Sequence, residues 1–114
     1  MRYTYTFDQL RDVPTENVYR LFLDYEETIR QYGAVDQSLY YTADNGVVEA
    51  PDPVAACECL FVMYNTAARP ANYDGRSMSV SDIVNLWDNS TEPPTKTSWF
   101  CDSIGFKRLE DTHE

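Results

Sequence analysis

The chain has 114 residues, enough for one ordinary domain, because two separate cores in that length would each be marginal. Hydrophobic residues make up 43%, with nine tyrosines, five phenylalanines and two tryptophans, which argues against disorder and for a packed core. Nineteen acidic side chains against nine basic ones give a net charge of −10, a field that repels nucleic acid and draws in basic partners.

In chain order, Arg2 to Leu10 alternates Tyr3, Tyr5 and Phe7 with Thr4, Thr6 and Asp8, the two-residue period of a half-buried strand. Pro14 and Thr15 supply helix-start chemistry. Val18, Leu21, Phe22, Tyr25, Ile29 and Tyr32 then recur at helical steps up to Gly33, predicting a long amphipathic helix. Its polar face carries Glu16, Arg20, Asp24, Glu26, Glu27 and Gln31, with Glu16–Arg20 and Glu26–Arg30 spaced as ion pairs. Ala43-Asp44-Asn45-Gly46 reads as a turn between Ser38–Thr42 and Val47-Val48, a short hairpin or irregular β segment. Asp52 and Pro53 open a second helix, Val54 to Tyr64, apolar nearly all round and therefore read as buried, with Cys57 and Cys59 in its core.

A turn-rich connector, Arg69 to Arg76, leads through Ser77–Asp82 into the strand-like Ile83–Trp87. After the loop of Asp88 to Thr95, the runs Thr97–Asp102 and Ile104–Leu109 predict a C-terminal hairpin, with 110–114 as a flexible acidic tail. The expected fold is α+β: a single small domain over 1–114, two helices packed on a mainly antiparallel sheet.

No apolar run approaches the roughly 20 residues of a bilayer span, and Met1 to Thr6 lacks the apolar stretch of a secretory signal, so a cytoplasmic protein is expected. Three cysteines, two of them only two positions apart, suit reduced thiols. With His113 as the only histidine, neither a zinc site nor any other cofactor is expected. Ser77, Ser79 and Ser81 lack the glycine-flanked setting of a nucleophile elbow and read as backbone ties at a turn. Asp82 and Asp102 would make a carboxylate pair, suited to acid/base work or magnesium, only if the hairpin brings them together. The competing reading is a turn cap and a strand-end hydrogen bond. Arg76, set beside polar residues, suits a carboxylate or a phosphate.

The stretch Arg69-Pro70-Ala71-Asn72-Tyr73-Asp74-Gly75-Arg76-Ser77-Met78-Ser79-Val80-Ser81-Asp82-Ile83-Val84, with Cys101-Asp102-Ser103-Ile104-Gly105-Phe106 downstream, closely resembles the signature of the YodL-like domain. Met78 stands for the family's usual leucine and Cys101 for its valine, both apolar exchanges. The resemblance covers about the last forty residues, 69–109, and the first two thirds carry no motif matched to it. It implies an accessory module of Firmicutes mobile elements, found alone or beside anti-restriction modules, with a namesake linked to control of rod-shaped growth. A short, acidic member is similar in kind to anti-CRISPR and anti-restriction inhibitors. The function expected from this is non-enzymatic: inhibition of a bacterial defence system by binding the basic channel of a type II CRISPR effector nuclease, against guide RNA or target DNA loading. The alternative is a host-directed regulator that binds a cytoskeletal or cell-shape protein. The residues expected to mediate contact are Asp24, Glu26, Glu27, Arg76, Ser77, Ser79, Asp82 and Asp102.

Overall fold

In the first strand, β1 (Arg2–Leu10), the aromatic side of the alternation is turned inward: Tyr3, Tyr5 and Phe7 are 0–3% exposed, while Arg2 and Thr4 face out. The computed structural model describes residues 1–11 and 20–109. The expectations placed on Pro14, Thr15, Glu16, Val18 and the acidic tail of 110–114 lie outside the described residues.

Four further strands join β1 in one sheet: β2 (Tyr40–Glu49), β3 (Ile83–Asp88), β4 (Thr95–Cys101) and β5 (Phe106–Leu109). The order is β2-β1-β3-β4-β5 and every pairing is antiparallel, so the C-terminal half is a three-stranded meander containing the predicted hairpin.

Ala43 to Gly46, read from sequence as a turn, runs straight through the middle of β2. Phe7 faces Asp44 and Asp8 faces Thr42, which leaves Ala43 as the extra residue of a β-bulge. The turn-type residues serve packing instead. A Cβ on Gly46 would lie 3.0 Å from the Tyr5 hydroxyl, so glycine is what lets that ring lie against the edge strand.

Helix α2 (Pro53–Tyr64) forms as the sequence predicts: Asp52 is its N-cap, accepting from Ala55 N at 2.8 Å, and Pro53 occupies the first turn. Ala56, Cys57, Leu60 and Tyr64 pack on Tyr3, Tyr5, Phe7, Val84, Leu86 and Trp99, one face of the sheet. Cys57 is buried there but Cys59 is exposed, contrary to the expectation that both are core, because two positions along a helix turn a side chain about 200° away.

The long amphipathic helix is shorter than its periodicity predicts. Helix α1 spans Tyr25–Tyr32, because Asp24 takes an extended conformation and accepts from Glu27 N at 2.8 Å, the geometry of an N-cap. Gly33, at φ 83, closes it with a bond to the Ile29 carbonyl. Phe22, assigned to the helix face, instead has φ 66 and is 59% exposed. Arg30 pairs with Glu27 rather than with Glu26.

The side chains of Leu10, Ile83 and Phe100 alternate away from the α2 side. They form a second cluster with Tyr40, covered by Leu21, Tyr25, Val35 and Leu39. The two helices thus lie on opposite faces of one sheet.

The core joint is Tyr64, fully buried, whose hydroxyl donates to Asp44 Oδ2 at 2.6 Å and lies 2.8 Å from the Tyr5 hydroxyl. Replacing Tyr64 by Phe keeps the ring and strands two polar partners, and should cost about 1–2 kcal/mol in urea denaturation. Leu60→Ala, which opens a cavity under α2, should cost about 2–5 kcal/mol. A Tyr64→Phe protein as stable as the parent would show that the hydroxyl chain adds nothing.

Candidate functional site

Two of the predicted contact carboxylates meet at the start of α1. Asp24 caps Glu27 N, and Asp102, at the end of β4, accepts from Tyr25 N at 3.0 Å and Ser103 N at 2.9 Å. Both sit at the end of the helix where the backbone N–H groups point outward, so they stabilise the element and link it to the β4–β5 turn. Glu27 holds Gln31 and Arg30, and those contacts keep its carboxyl below the usual range. Glu26 is exposed. The acidic helix face is thus divided between a cap, an ion pair and one exposed glutamate.

Asp82 is not brought to Asp102 through any shared partner. It is fully buried at the entrance to β3, where Oδ2 accepts from Ser79 N at 2.8 Å and from Gln9 Nε2 at 3.4 Å. Its Oδ1 is buried with no hydrogen-bond partner among the described residues. Burial pushes this carboxyl up to about 7, against the opposing pull of Ser79 N, Arg76 and Gln9.

Arg76 has an exposed side chain, and its carbonyl accepts from Tyr73 Oη and Gln9 Nε2. The anchor of this region is Arg69, which the sequence reading passed over. Its guanidinium donates to Gly75 O, Tyr64 O and Ser77 Oγ at 2.9–3.2 Å, fastening the connector to the end of α2. Gly75, a residue type that permits a positive backbone angle, supplies space instead: a Cβ there would lie 2.6 Å from the Tyr73 hydroxyl. The positive angle falls on Ser81, at φ 85, whose hydroxyl accepts from Phe22 N and whose carbonyl accepts from Tyr40 Oη. Ser79, Ser81 and Asp82 are therefore occupied in holding backbone, and Ser77 Oγ in holding the Arg69 guanidinium.

On the open part of the α1 face, Asn85 donates to Thr6 Oγ1 and Asp8 Oδ2 and accepts from Ser98 Oγ, while Thr42 donates to Asp8 Oδ1. This network satisfies itself and presents no group in search of a ligand.

The outer side of α2 is different. Val54, Phe61 and Val62 are 40–58% exposed, although the sequence reading buried the whole helix. Beside them lies a groove of about 380 Å³ lined by Glu58, Phe61, Val62, Cys101, Asp102, Ser103, Gly105 and Phe106. Phe61 and Phe106 meet edge to face across it, with ring centroids 6.4 Å apart. The β4–β5 turn forms its far wall. There Gly105, at φ 72, accepts from Asp102 N at 3.0 Å, and Ile104 projects outward, 92% exposed. The sequence signal for this surface was the helix that is apolar on every side: one stripe faces the sheet and the rest faces outward.

The YodL-like domain family model matches residues 4–111. The chain belongs to the YodL-like domain family. None of the curated proteins and none of the solved structures matches it. The family match takes in β1, both helices and β2 as well as the 69–109 signature, so the YodL-like fold includes the two thirds of the chain that carried no motif for the eye. In this YodL-like domain the signature builds the clamp of Arg69 and Asp82 and the turn bearing Ile104. No described helix is long and apolar enough to cross a membrane.

The burial of the Asp82 carboxyl makes stability depend on pH with a defined sign. Unfolded, the carboxyl titrates near 3.8; folded, near 7, so between those values the native state holds a proton the unfolded chain has lost. This contribution is full below about pH 4 and is lost as pH rises through 7, with a slope of at most about 1.4 kcal/mol per pH unit. Denaturation midpoints of wild type and Asp82→Asn should diverge from pH 5 to pH 8 as the wild type loses stability. A difference that does not change with pH would show that the carboxyl titrates normally.

Proposed function

We propose that this domain works by binding another protein and that it catalyses no reaction. The observation that carries the reading is the exposed apolar surface of Val54, Phe61, Val62 and Ile104 around the groove between α2 and the β4–β5 turn. Large side chains exposed together beside a concave wall suit a partner that removes them from water, as the centre of a protein interface does. The polar residues that a catalytic reading would recruit are already engaged, Ser79, Asp82 and Asp102 with backbone N–H and carbonyl groups and Ser77 Oγ with the Arg69 guanidinium, which supports binding over chemistry.

Photo-crosslinking in the expressing cell tests this directly. A crosslinking amino acid placed at Val62 or Ile104 should give a discrete adduct, and one placed at the exposed, polar Thr91 should give none. Equal adducts from all three positions would overturn the reading.

The net charge of −10 favours a more specific form of the same proposal, an inhibitor of a bacterial defence nuclease whose basic nucleic-acid channel is the partner surface. On this form, the protein added to a type II CRISPR effector nuclease before guide RNA should block target cleavage, and added afterwards should not. Binding should also weaken steeply with salt. A partner that regulates cell shape instead predicts binding that salt hardly changes and altered rod growth on expression. Inhibition in neither order of addition removes the nuclease form and leaves the apolar-surface reading standing.

A further inference from the structure

The groove beside α2 is apolar in its walls and acidic at its rim. Phe61, Val62 and Phe106 form the walls, while the exposed Glu58 of α2 and the partly exposed Asp102 of the turn carry the charge. Asp102 is fixed in place because its Oδ1 accepts from both Tyr25 N and Ser103 N. Glu58 lies one helical turn before Val62, on the same side of α2. From this arrangement we infer that the groove receives an apolar anchor side chain from a partner protein, presented on a segment whose neighbouring residues are lysine or arginine.

The inference rests on the binding role proposed above and names the chemistry of what is bound. Charge complementarity selects the occupant. A second copy of this chain would bring its own acidic rim and its own charge of −10 against Glu58 and Asp102, since a twofold contact sets the same patch against itself. A surface of anionic lipid would be repelled for the same reason. A basic flank on the partner meets both carboxylates at the edge of the contact, where such pairs set orientation and encounter rate while the anchor supplies the buried area.

The probe is a synthetic amphipathic helical peptide of leucine and lysine, compared with one of leucine and glutamate and one of serine and lysine, each followed by amide chemical-shift mapping on the full chain. The leucine–lysine peptide should shift Glu58, Phe61, Val62, Ser103 and Phe106. Glu58→Lys should weaken it about tenfold or more, whereas Asp74→Lys, the same charge change at an exposed position of the 69–82 connector, should weaken it less than about threefold. Val62→Ser, at a side chain already 58% exposed and therefore outside the core, should weaken it without altering the native shift pattern.

Equal binding of the leucine–glutamate peptide at the groove would overturn the basic flank while leaving the apolar surface as a binding site. Equal binding of the serine–lysine peptide, or equal loss in Glu58→Lys and Asp74→Lys, would reduce the effect to general charge attraction and overturn the inference. Shifts confined to other faces would overturn it too. The crosslinking at Val62 and Ile104 judges the binding role by itself.

Discussion

The fold depends on one helix seated on one strand. Tyr64 ends α2 and lies 4.6 Å from the Phe7 ring and 5.1 Å from Tyr73, centroid to centroid, with its hydroxyl tied to Asp44 of the edge strand. Through that side chain the helix, β1, β2 and the 69–82 connector share a single contact set. Burial pushes the Tyr64 hydroxyl well above its ordinary range, so it stays a neutral donor at any physiological pH. Its bond to Asp44 also explains the composition of β2, because Gly46 clears room for Tyr5 and Asp44 accepts the hydrogen bond of the Tyr64 hydroxyl.

The 69–109 signature is the other half of that construction. Arg69 reaches back to the Tyr64 carbonyl and forward to Gly75 and Ser77, and Gln9 from β1 donates to the carbonyls of Arg76 and Ser77 and to Asp82. A segment of turn residues, with no helix or ladder to satisfy its backbone, needs side chains from outside to do so. Here an arginine and a glutamine supply them. Among the described residues Asp82 is the one for which this arrangement is incomplete, since one of its oxygens is satisfied and the other is buried without a partner there.

Much of this was legible in the sequence, for identifiable reasons. The strands β1, β3, β4 and β5 and the cap of α2 declare themselves because alternation and Asp-Pro chemistry are local signals. The β2 strand did not, because Asp44-Asn45-Gly46 spells a turn locally and only Tyr5 and Tyr64, far away in sequence, make it a strand. The onset of α1 was placed too early because the spacing of Leu21, Phe22 and Tyr25 fits a helix, whereas the carboxylate of Asp24 stops it there. Of the candidate contact residues, Asp24, Ser79, Asp82 and Asp102 hold backbone, Glu27 and Ser77 hold other side chains, and Glu26 and Arg76 are exposed. The exposure of Phe61 and Val62 was missed because an apolar helix reads as buried until the layer outside it is seen to be absent among the described elements.

The charge and the apolar surface are best understood together. A domain that exposes Phe61, Val62 and Ile104 risks sticking to itself, and like charge on every copy opposes that encounter before the apolar surfaces can meet. The same field does not oppose a basic partner; it favours it. On the binding role proposed above, net charge would act as a filter in front of the groove, setting which molecules reach it, while Phe61, Val62 and Phe106 would set how long they stay. Acidic residues need no contiguous patch for this role, which is consistent with Asp24, Asp102 and Glu27 each being engaged in local structure while still contributing to the field.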